Sequence, residues 1–264
     1  MTDTQIERYS RHIVLKQIGL RGQSRLLEGK VLIAGLGALG SPAALYLAAA
    51  GVGRLGLADF DAVEHSNLQR QILYSTGDVG RSKAEVAGKR IRDLNGDVRV
   101  NMHEQRLCAA NIREIVREYD FVIDGTDSFP SKLLINDACV KYRIPFSHAG
   151  AVQFMGQTMT VLPGVSACLR CIVPFTPRAV STPACSEAGI LGPVAGILGT
   201  IQAAEAIKYI SGAGAPLQDR IIFFDALSME FRSIIVRRSR ECPVCSGDPG
   251  AINLFDLETE ICGR

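Results

Sequence analysis

The sequence predicts an α/β protein built on a doubly wound, mostly parallel sheet, and three observations carry that expectation. Short apolar runs alternate with helical segments from Lys30 to Gly150. A glycine-rich turn, GLGALG, joins the first of those runs to the first helix. An acid, Asp59, ends the second run 19 residues after the turn. Strand–helix units of this length wind a parallel sheet with helices on both faces. The turn and its distal acid make the pattern Rossmann-like.

Each element follows in order. The N-terminal MTDTQIERYSRHIVL is polar and reads as an amphipathic helix, not a secretion signal. VLIAG (31–35) is a strand, and the helix after the turn covers about 39–51. The uncharged run from Val31 to Gly53 imitates a membrane span in length, but five glycines and Pro42 divide it into strand, turn and helix. Further strands are expected at 54–59, 98–103, 120–125 and 144–150, with helices at 81–94, 110–118 and 129–142. After Gly150 the rhythm changes. VQFMGQTMTVLP reads as one longer antiparallel strand, and 163–188 as a loop rich in Pro and Cys. A long apolar helix, GILGPVAGILGTIQAAEAIKYI, precedes two strands at 220–226 and 230–238, so antiparallel strands continue the sheet. From Ser246 onward the chain reads as poorly anchored.

Composition narrows the function. A net charge of +2 is too balanced for a nucleic-acid or membrane surface. The basic residues Arg237, Arg238 and Arg240 read as a solvated strand edge. Eight cysteines without a secretion signal point to a reducing, cytoplasmic setting, where paired cysteines more often bind metal or do chemistry than form disulfides.

The glycine turn carries the first functional signal. In Gly35-x-Gly37-x-x-Gly40 the first glycine permits the turn, the second lets backbone approach a phosphate, and the third lets helix pack on strand. Asp59 stands where a carboxylate meets ribose hydroxyls. Beyond it, DFDAVEHSNLQRQ adds Asp61 and places Asn67, Arg70 and Gln71 on one face if Ser66 starts a helical turn. An NAD site has no evident use for an arginine there, whereas a triphosphate does. Lys83, near the start of the next helix, offers a second cation, and Asp127 in DGTDS can hold magnesium. Singly, each has a structural reading: Arg70 pairs with Asp61, and Lys83 faces solvent. Together they are the parts of nucleotidyl transfer.

Two further motifs involve sulfur. Cys168-x-x-Cys171 and Cys242-x-x-Cys245 supply four thiolates, the donor set of a closed, structural zinc site; a single such pair is also compatible with redox chemistry. Cys185, in STPACSEAG before the long helix, sits where a helix N-terminus lowers a thiol's pKa and makes it a better nucleophile, though it also reads as a dispensable loop cysteine.

RYSRHIVL, GLGALGSPAALYLAAAGVG, DFDAVEHSNLQRQ, GRSKAE, DGTDS, CLRC, CSEAGILGPVAGILGTIQAAEAIK and CPVC, in that order, resemble the ThiF/MoeB/HesA family, the bacterial relatives of ubiquitin-activating enzymes. The resemblance extends to about Cys245. It implies ATP–Mg2+-dependent adenylation of the C-terminal glycine of a ubiquitin-like sulfur carrier protein, ThiS- or MoaD-like, by a homodimer. By motif, Gly35, Gly37 and Gly40 cradle the nucleotide, Asp59 binds its ribose, Asp61 is also nucleotide-binding, and Asn67, Arg70 and Lys83 contact phosphates with Gln71 close by. Asp127 takes the metal, Arg11 reaches into the partner subunit's site, and Cys185 is the position linked to the carrier in the thiamine branch. The resemblance also agrees with Zn2+ on Cys168, Cys171, Cys242 and Cys245.

The expected organisation is one domain: a helical arm (1–29), a nucleotide-binding half (30–150), a carrier-binding and zinc half (151–245), and a tail (246–264). The details lean toward the thiamine pathway over the molybdopterin one. With no rhodanese-like extension, sulfur is expected from a separate donor such as a cysteine desulfurase or rhodanese. The attacking carboxylate is ionised at neutral pH, so no general base is needed and the four histidines are left as structural or surface residues. An NAD-dependent oxidoreductase with structural zinc is the more distant alternative; it and a non-catalytic scaffold leave Arg70, Lys83 and Asp127 idle.

Overall fold

Apolar side chains on successive residues commit the first strand to burial on both faces. In β1 (Lys30–Ala34), Val31 and Ile33 enter one core while Leu32 and Ala34 enter the other, and all four are fully buried. That pattern belongs to a parallel strand covered by helices on each side. The computed structural model describes residues 1–174 and 188–256. Its other strands are β2 (Arg54–Ala58), β3 (Arg99–His103), β4 (Phe121–Asp124), β5 (Phe146–Val152), β6 (Met155–Val161), β7 (Arg220–Asp225) and β8 (Glu230–Ile235). All eight form one sheet in the order β3-β2-β1-β4-β5-β6-β7-β8, parallel as far as β5 and antiparallel beyond it.

The chain leaves β1 toward β2 on one side and returns as β4 on the other. A crevice therefore opens between β1 and β4 at their carboxyl ends, the usual ligand position in such sheets. The helices that matter here are α4 (Gly40–Ala49), α5 (Lys83–Leu94), α7 (Phe129–Tyr142) and α9 (Gly192–Ser211); the short α6 (Ile112–Val116) and α8 (Leu169–Ile172) fill gaps. α7 matches the sequence expectation at both ends. Ser128 accepts from the Ser131 N–H as N-cap, Pro130 sits in the first turn, and Arg143 closes the helix in the left-handed region.

Four expectations are corrected. The N-terminal arm is not one helix but α1 (Asp3–Arg8), α2 (Ser10–Ile13) and, after a loop, α3 (Gly19–Glu28). The break falls at Tyr9, which is buried; its hydroxyl accepts from Asn95 Nδ2 at 2.8 Å and its ring fills the space over Gly51, where a Cβ would lie 2.4 Å away. Residues 152–163 are not one strand. β5 runs on to Val152, the chain reverses at Gln153 and Phe154 with Gln153 left-handed, and β6 pairs back against β5. The segment after Ser246 is anchored as far as Asp256. Ile252 is buried, Lys141 Nζ donates to the Gly250 and Ile252 carbonyls, and Asp256 accepts from the Ala109 N–H at 2.9 Å. Arg238 is not simply solvated, since it donates to the Gly164 and Cys245 carbonyls. Among the described residues no helix is long and apolar enough to cross a membrane.

α9 lies against α4 through Gly199, where a Cβ would stand 2.2 Å from the Leu39 carbonyl oxygen and 2.7 Å from Pro42 Cγ. Gly199→Ala is therefore expected to lower unfolding free energy by about 1–3 kcal/mol in urea denaturation. Gly196→Ala, whose Cβ would meet nothing within 4 Å, serves as the control and should be neutral or slightly stabilising.

Candidate active site

Backbone contacts build the floor of the crevice. Gly35 is left-handed, with φ +87°, and a Cβ there would strike the Gly125 backbone at 2.8 Å. A Cβ on Gly40 would lie 1.9 Å from the Gly35 carbonyl oxygen, so the third glycine lets α4 begin directly on the turn. Above Gly37 the space is open, with only Gln71 Nε2 at 3.7 Å from where a Cβ would be. The first and third glycines thus close the turn, and the middle one exposes it.

Asp59 ties the turn to β2. Its carboxylate accepts the Leu36 N–H at 2.7 Å and the Asp61 N–H at 2.9 Å. Burial lifts its carboxyl above the ordinary range, against the Lys83 ammonium and the two N–H donors. The Leu36 carbonyl is held in turn by the hydroxyls of Tyr74, at 2.9 Å, and Ser41, at 3.2 Å.

The loop after Asp59 forms the expected turn. A 3-10 turn over His65–Asn67 continues through the Arg70 and Gln71 N–H groups, both donated to the Asn67 carbonyl. Asn67 and Gln71 are buried, and Asn67 Oδ1 and Gln71 Oε1 have no hydrogen-bond partner among the described residues. Arg70 does not pair with Asp61; it donates to the Ser66 carbonyl at 2.9 Å. Asp61 pairs with Lys83 instead, Oδ2 to Nζ at 3.0 Å, and Lys83 is only 6% exposed. The solvent-facing reading of Lys83 fails.

These parts line one cavity of about 280 Å³, the low end for small-ligand sites. Gly35, Gly37, Asp59, Asp61, Arg70, Gln71, Lys83 and the exposed Asp127 all contribute to its wall. Gly40 and Asn67 do not reach its surface. Arg11 stands exposed on α2, outside its own chain's cavity. The donor set suits a nucleotide: exposed turn backbone, two cations, a buried acid at the strand end, and a free-standing carboxylate oxygen ligand for a hard cation.

Sequence reading missed several neighbours. Arg106 places its guanidinium 5.2 Å from the centroid of Phe60, and both line the cavity; the segment 105–107 follows β3 at the carboxyl end of the sheet, where ligands bind in such folds, but it carries no motif. Beneath Asp127 lies a buried network centred on Asp124. Its carboxylate accepts from the Thr126 hydroxyl at 2.7 Å, Lys132 Nζ at 3.3 Å and His148 Nδ1 at 2.8 Å. Burial opposes the charge on Asp124, yet Lys132, His148 and Thr126 together outweigh it and hold the carboxyl at about 2. Burial also pushes His148 below its ordinary range, more than Asp124 raises it. The ring is therefore neutral at pH 7 and donates Nδ1–H.

The cysteine centre stands apart from the cavity. Cys168, Cys171, Cys242 and Cys245 bring their sulfurs within 4.8 Å of one another, with Cys168 and Cys242 3.6 Å apart and Cys171 and Cys245 3.4 Å apart. Tetrahedral zinc with Zn–S near 2.3 Å needs sulfurs about 3.8 Å apart, so the set fits with small adjustments. Hydrogen bonding from Cys168, and then the Ser239 N–H, draws the Cys171 thiol below its ordinary range. The Cys245 N–H likewise donates to Cys242 Sγ. Such donors orient and favour thiolate ligands. α8 is fastened to α7 by the Arg170–Asp137 ion pair at 2.7 Å and by the Leu169 N–H on Asn136 Oδ1 at 2.8 Å. Cys139 is buried, Cys108 is half-buried, and Cys185 and Cys262 lie outside the described residues.

Two outcomes follow from this chemistry. Metal analysis should find one zinc per chain, and Cys242→Ser should abolish it and lower the melting temperature. For acid stability, Asp124 titrates lower in the folded chain than in the unfolded one, so its contribution is present above pH 4 and lost as pH falls toward 2. The loss is about 2 kcal/mol. Urea unfolding measured from pH 4 to 2 should be less pH-dependent by that amount in Asp124→Asn.

The ThiF family model matches residues 9–244. A sulfur carrier protein adenylyltransferase of Thermus thermophilus is 43% identical, over 99% of this chain and 98% of the relative. A SAMP-activating enzyme E1 of Haloferax volcanii is also 43% identical, over 97% of this chain and 94% of its own length. The adenylyltransferase and sulfurtransferase MOCS3 of Drosophila yakuba is 44% identical across the whole chain, which spans 58% of that longer relative. Among solved structures, E. coli MccB with ATP superposes with a TM-score of 0.79 at 26% identity, over 91% of this chain and 75% of that one. MccB with MccA-N7isoASN gives 0.80 at the same identity, over 92% and 75%. With most of its length matched, this chain belongs to the ThiF family.

Proposed function

We propose that this chain uses ATP and Mg2+ to adenylate the C-terminal glycine carboxylate of a ubiquitin-like sulfur carrier protein, preparing it for thiocarboxylation. The observation that carries this reading is the buried Lys83, fixed on Asp61 in the same cavity as Asp59 and Arg70. A dinucleotide oxidoreductase has no use for that pairing. Relatives named for the same reaction, at 43–44% identity, support it.

In this reading the substrates follow the order of the strands. Asp59 at the end of β2 takes the ribose, and Gly37 beyond β1 offers backbone to the phosphates. Asp127 after β4 is the assigned ligand of magnesium, which when bound would neutralise phosphate charge and assist pyrophosphate departure. The carrier's terminus then approaches from the β5 side, where Gly150 and Ala151 line the cavity. The reaction brings one anion onto the phosphorus of another. Its barrier is electrostatic, and Arg70 and Lys83 lower it by facing the phosphoryl oxygens as charge builds on the leaving group. Lys83 needs no reorganisation to do so, because Asp61 already holds it.

Arg11, exposed on the helical arm, is assigned to the site of a second copy in a homodimer. The half from residue 151 onward is assigned to carrier binding, with sulfur from a separate donor. The thiamine-pathway carrier is the first candidate substrate and the molybdopterin one the second.

ATP–pyrophosphate exchange that depends on a Gly-Gly-ended carrier tests the reading, run with each carrier in turn. Arg70→Ala or Lys83→Ala should reduce exchange by about 100-fold or more, roughly 3 kcal/mol of transition-state stabilisation. NAD binding without exchange supports the oxidoreductase; carrier binding without exchange supports a scaffold.

A further inference from the structure

Strands β4 and β5 pair only over three residues, ending at Asp124 opposite His148. Past that point they part. β4 gives way to the Gly125–Thr126–Asp127 loop, while β5 continues to Val152 against β6. Lys132, reaching up from α7, sits in the fork. Its ammonium donates to both Asp124 oxygens at 3.3 Å and to the Ala149 carbonyl at 2.6 Å. All three of its N–H donors are thereby committed. From α9, Gln202 Nε2 ties the same two strands, donating to the Asp124 carbonyl at 2.9 Å and the Ser147 carbonyl at 2.8 Å. Lys132 is 6% exposed and still contributes to the cavity wall, next to Gly150. Over Gly150 there is room: a Cβ would meet nothing nearer than Gln157, at 3.9 Å.

We propose that Lys132 is a positioning residue for the acyl half of the adenylation reaction. By bridging Asp124 and Ala149 it sets the width of the β4–β5 fork through which a carrier's glycine terminus reaches the α-phosphorus. The proposal rests on the adenylation reading above. Lys132 differs from Arg70 and Lys83 because its ammonium donors are taken by the Asp124 carboxylate and the Ala149 carbonyl, so it does not serve as another phosphate ligand. It fixes the distance between the metal-binding loop and the wall that a carrier's last residues would follow. A displacement near 1 Å at a reacting group costs about 100-fold in rate.

The test uses the full chain with ATP, Mg2+ and a Gly-Gly-ended carrier, titrating ATP and carrier separately in pyrophosphate exchange. Lys132→Met should leave the KM for ATP within about twofold and reduce kcat/KM for the carrier by about 100-fold. Lys132→Arg, which restores a charged donor in the fork, should recover about tenfold of that loss. Because Lys132→Met strands a buried carboxylate, D124N/K132M, which removes both charges, is measured alongside and should show the same carrier-selective loss while folded. Unchanged exchange, equal losses toward ATP and carrier, or a double variant that also fails to fold overturns the proposal. Wild-type protein without carrier-dependent exchange overturns the adenylation reading and this proposal together. Wild-type exchange that persists in Lys132→Met overturns the role of Lys132 alone.

Discussion

Three glycine backbones meet at the switch point of the sheet, and the site is assembled around that contact. The Cβ missing from Gly125 would lie 2.8 Å from the Gly35 carbonyl oxygen and 3.1 Å from the Gly40 nitrogen. No side chain fits between the end of β1, the start of α4 and the loop after β4. The close approach brings the exposed turn backbone, the Leu36 N–H that holds Asp59, and the Asp127 loop around one cavity. Specific side chains then decorate a crevice whose shape the main chain has already set.

Charge in that crevice is arranged in advance of any ligand. Lys83 is buried and fixed on Asp61, whose side chain is 49% exposed. Asp59 is held between opposing influences. Burial raises its carboxyl, and the N–H groups of Leu36 and Asp61 limit the rise. Groups held in this way need little rearrangement when charge develops, the condition under which electrostatic stabilisation is most effective. The neutral His148 and the ionised Asp124 extend the arrangement below the floor, where a low-dielectric setting makes each partner matter more.

Much of this was legible in the sequence because it obeys local rules. The glycine turn, the DFDAVEHSNLQRQ stretch and DGTDS supplied Gly35, Asp59, Arg70, Gln71 and Asp127, which line one cavity, and the CxxC spacing pointed to four sulfurs that lie together. The helix expected at 129–142 appears as α7 over the same residues. What stayed hidden depends on partners distant in the chain. Tyr9 breaks the N-terminal helix because a hole over Gly51 and a donor at Asn95 await it. Gln153 turns a chain that reads as continuous strand, and a left-handed glutamine carries no compositional mark. Lys132 looks like any lysine on a helix until β4 and β5 deliver an acid and a carbonyl to it.

α7 connects the two chemically distinct parts of the molecule. Near its start Lys132 holds the fork at Asp124. One turn later Asn136 and Asp137 hold Leu169 and Arg170, which lie between Cys168 and Cys171. The cysteine centre also gathers the C-terminal knuckle beside β8, and Cys139 and Ile252 pack in the same core. A closed thiolate site has no position for a substrate, which suits these four sulfurs to a structural part. The Arg170–Asp137 and Leu169–Asn136 contacts join the segment between Cys168 and Cys171 to α7. The loop bearing Asp127 leads directly into the first turn of the same helix, so the cavity and the cysteine centre share one rigid element.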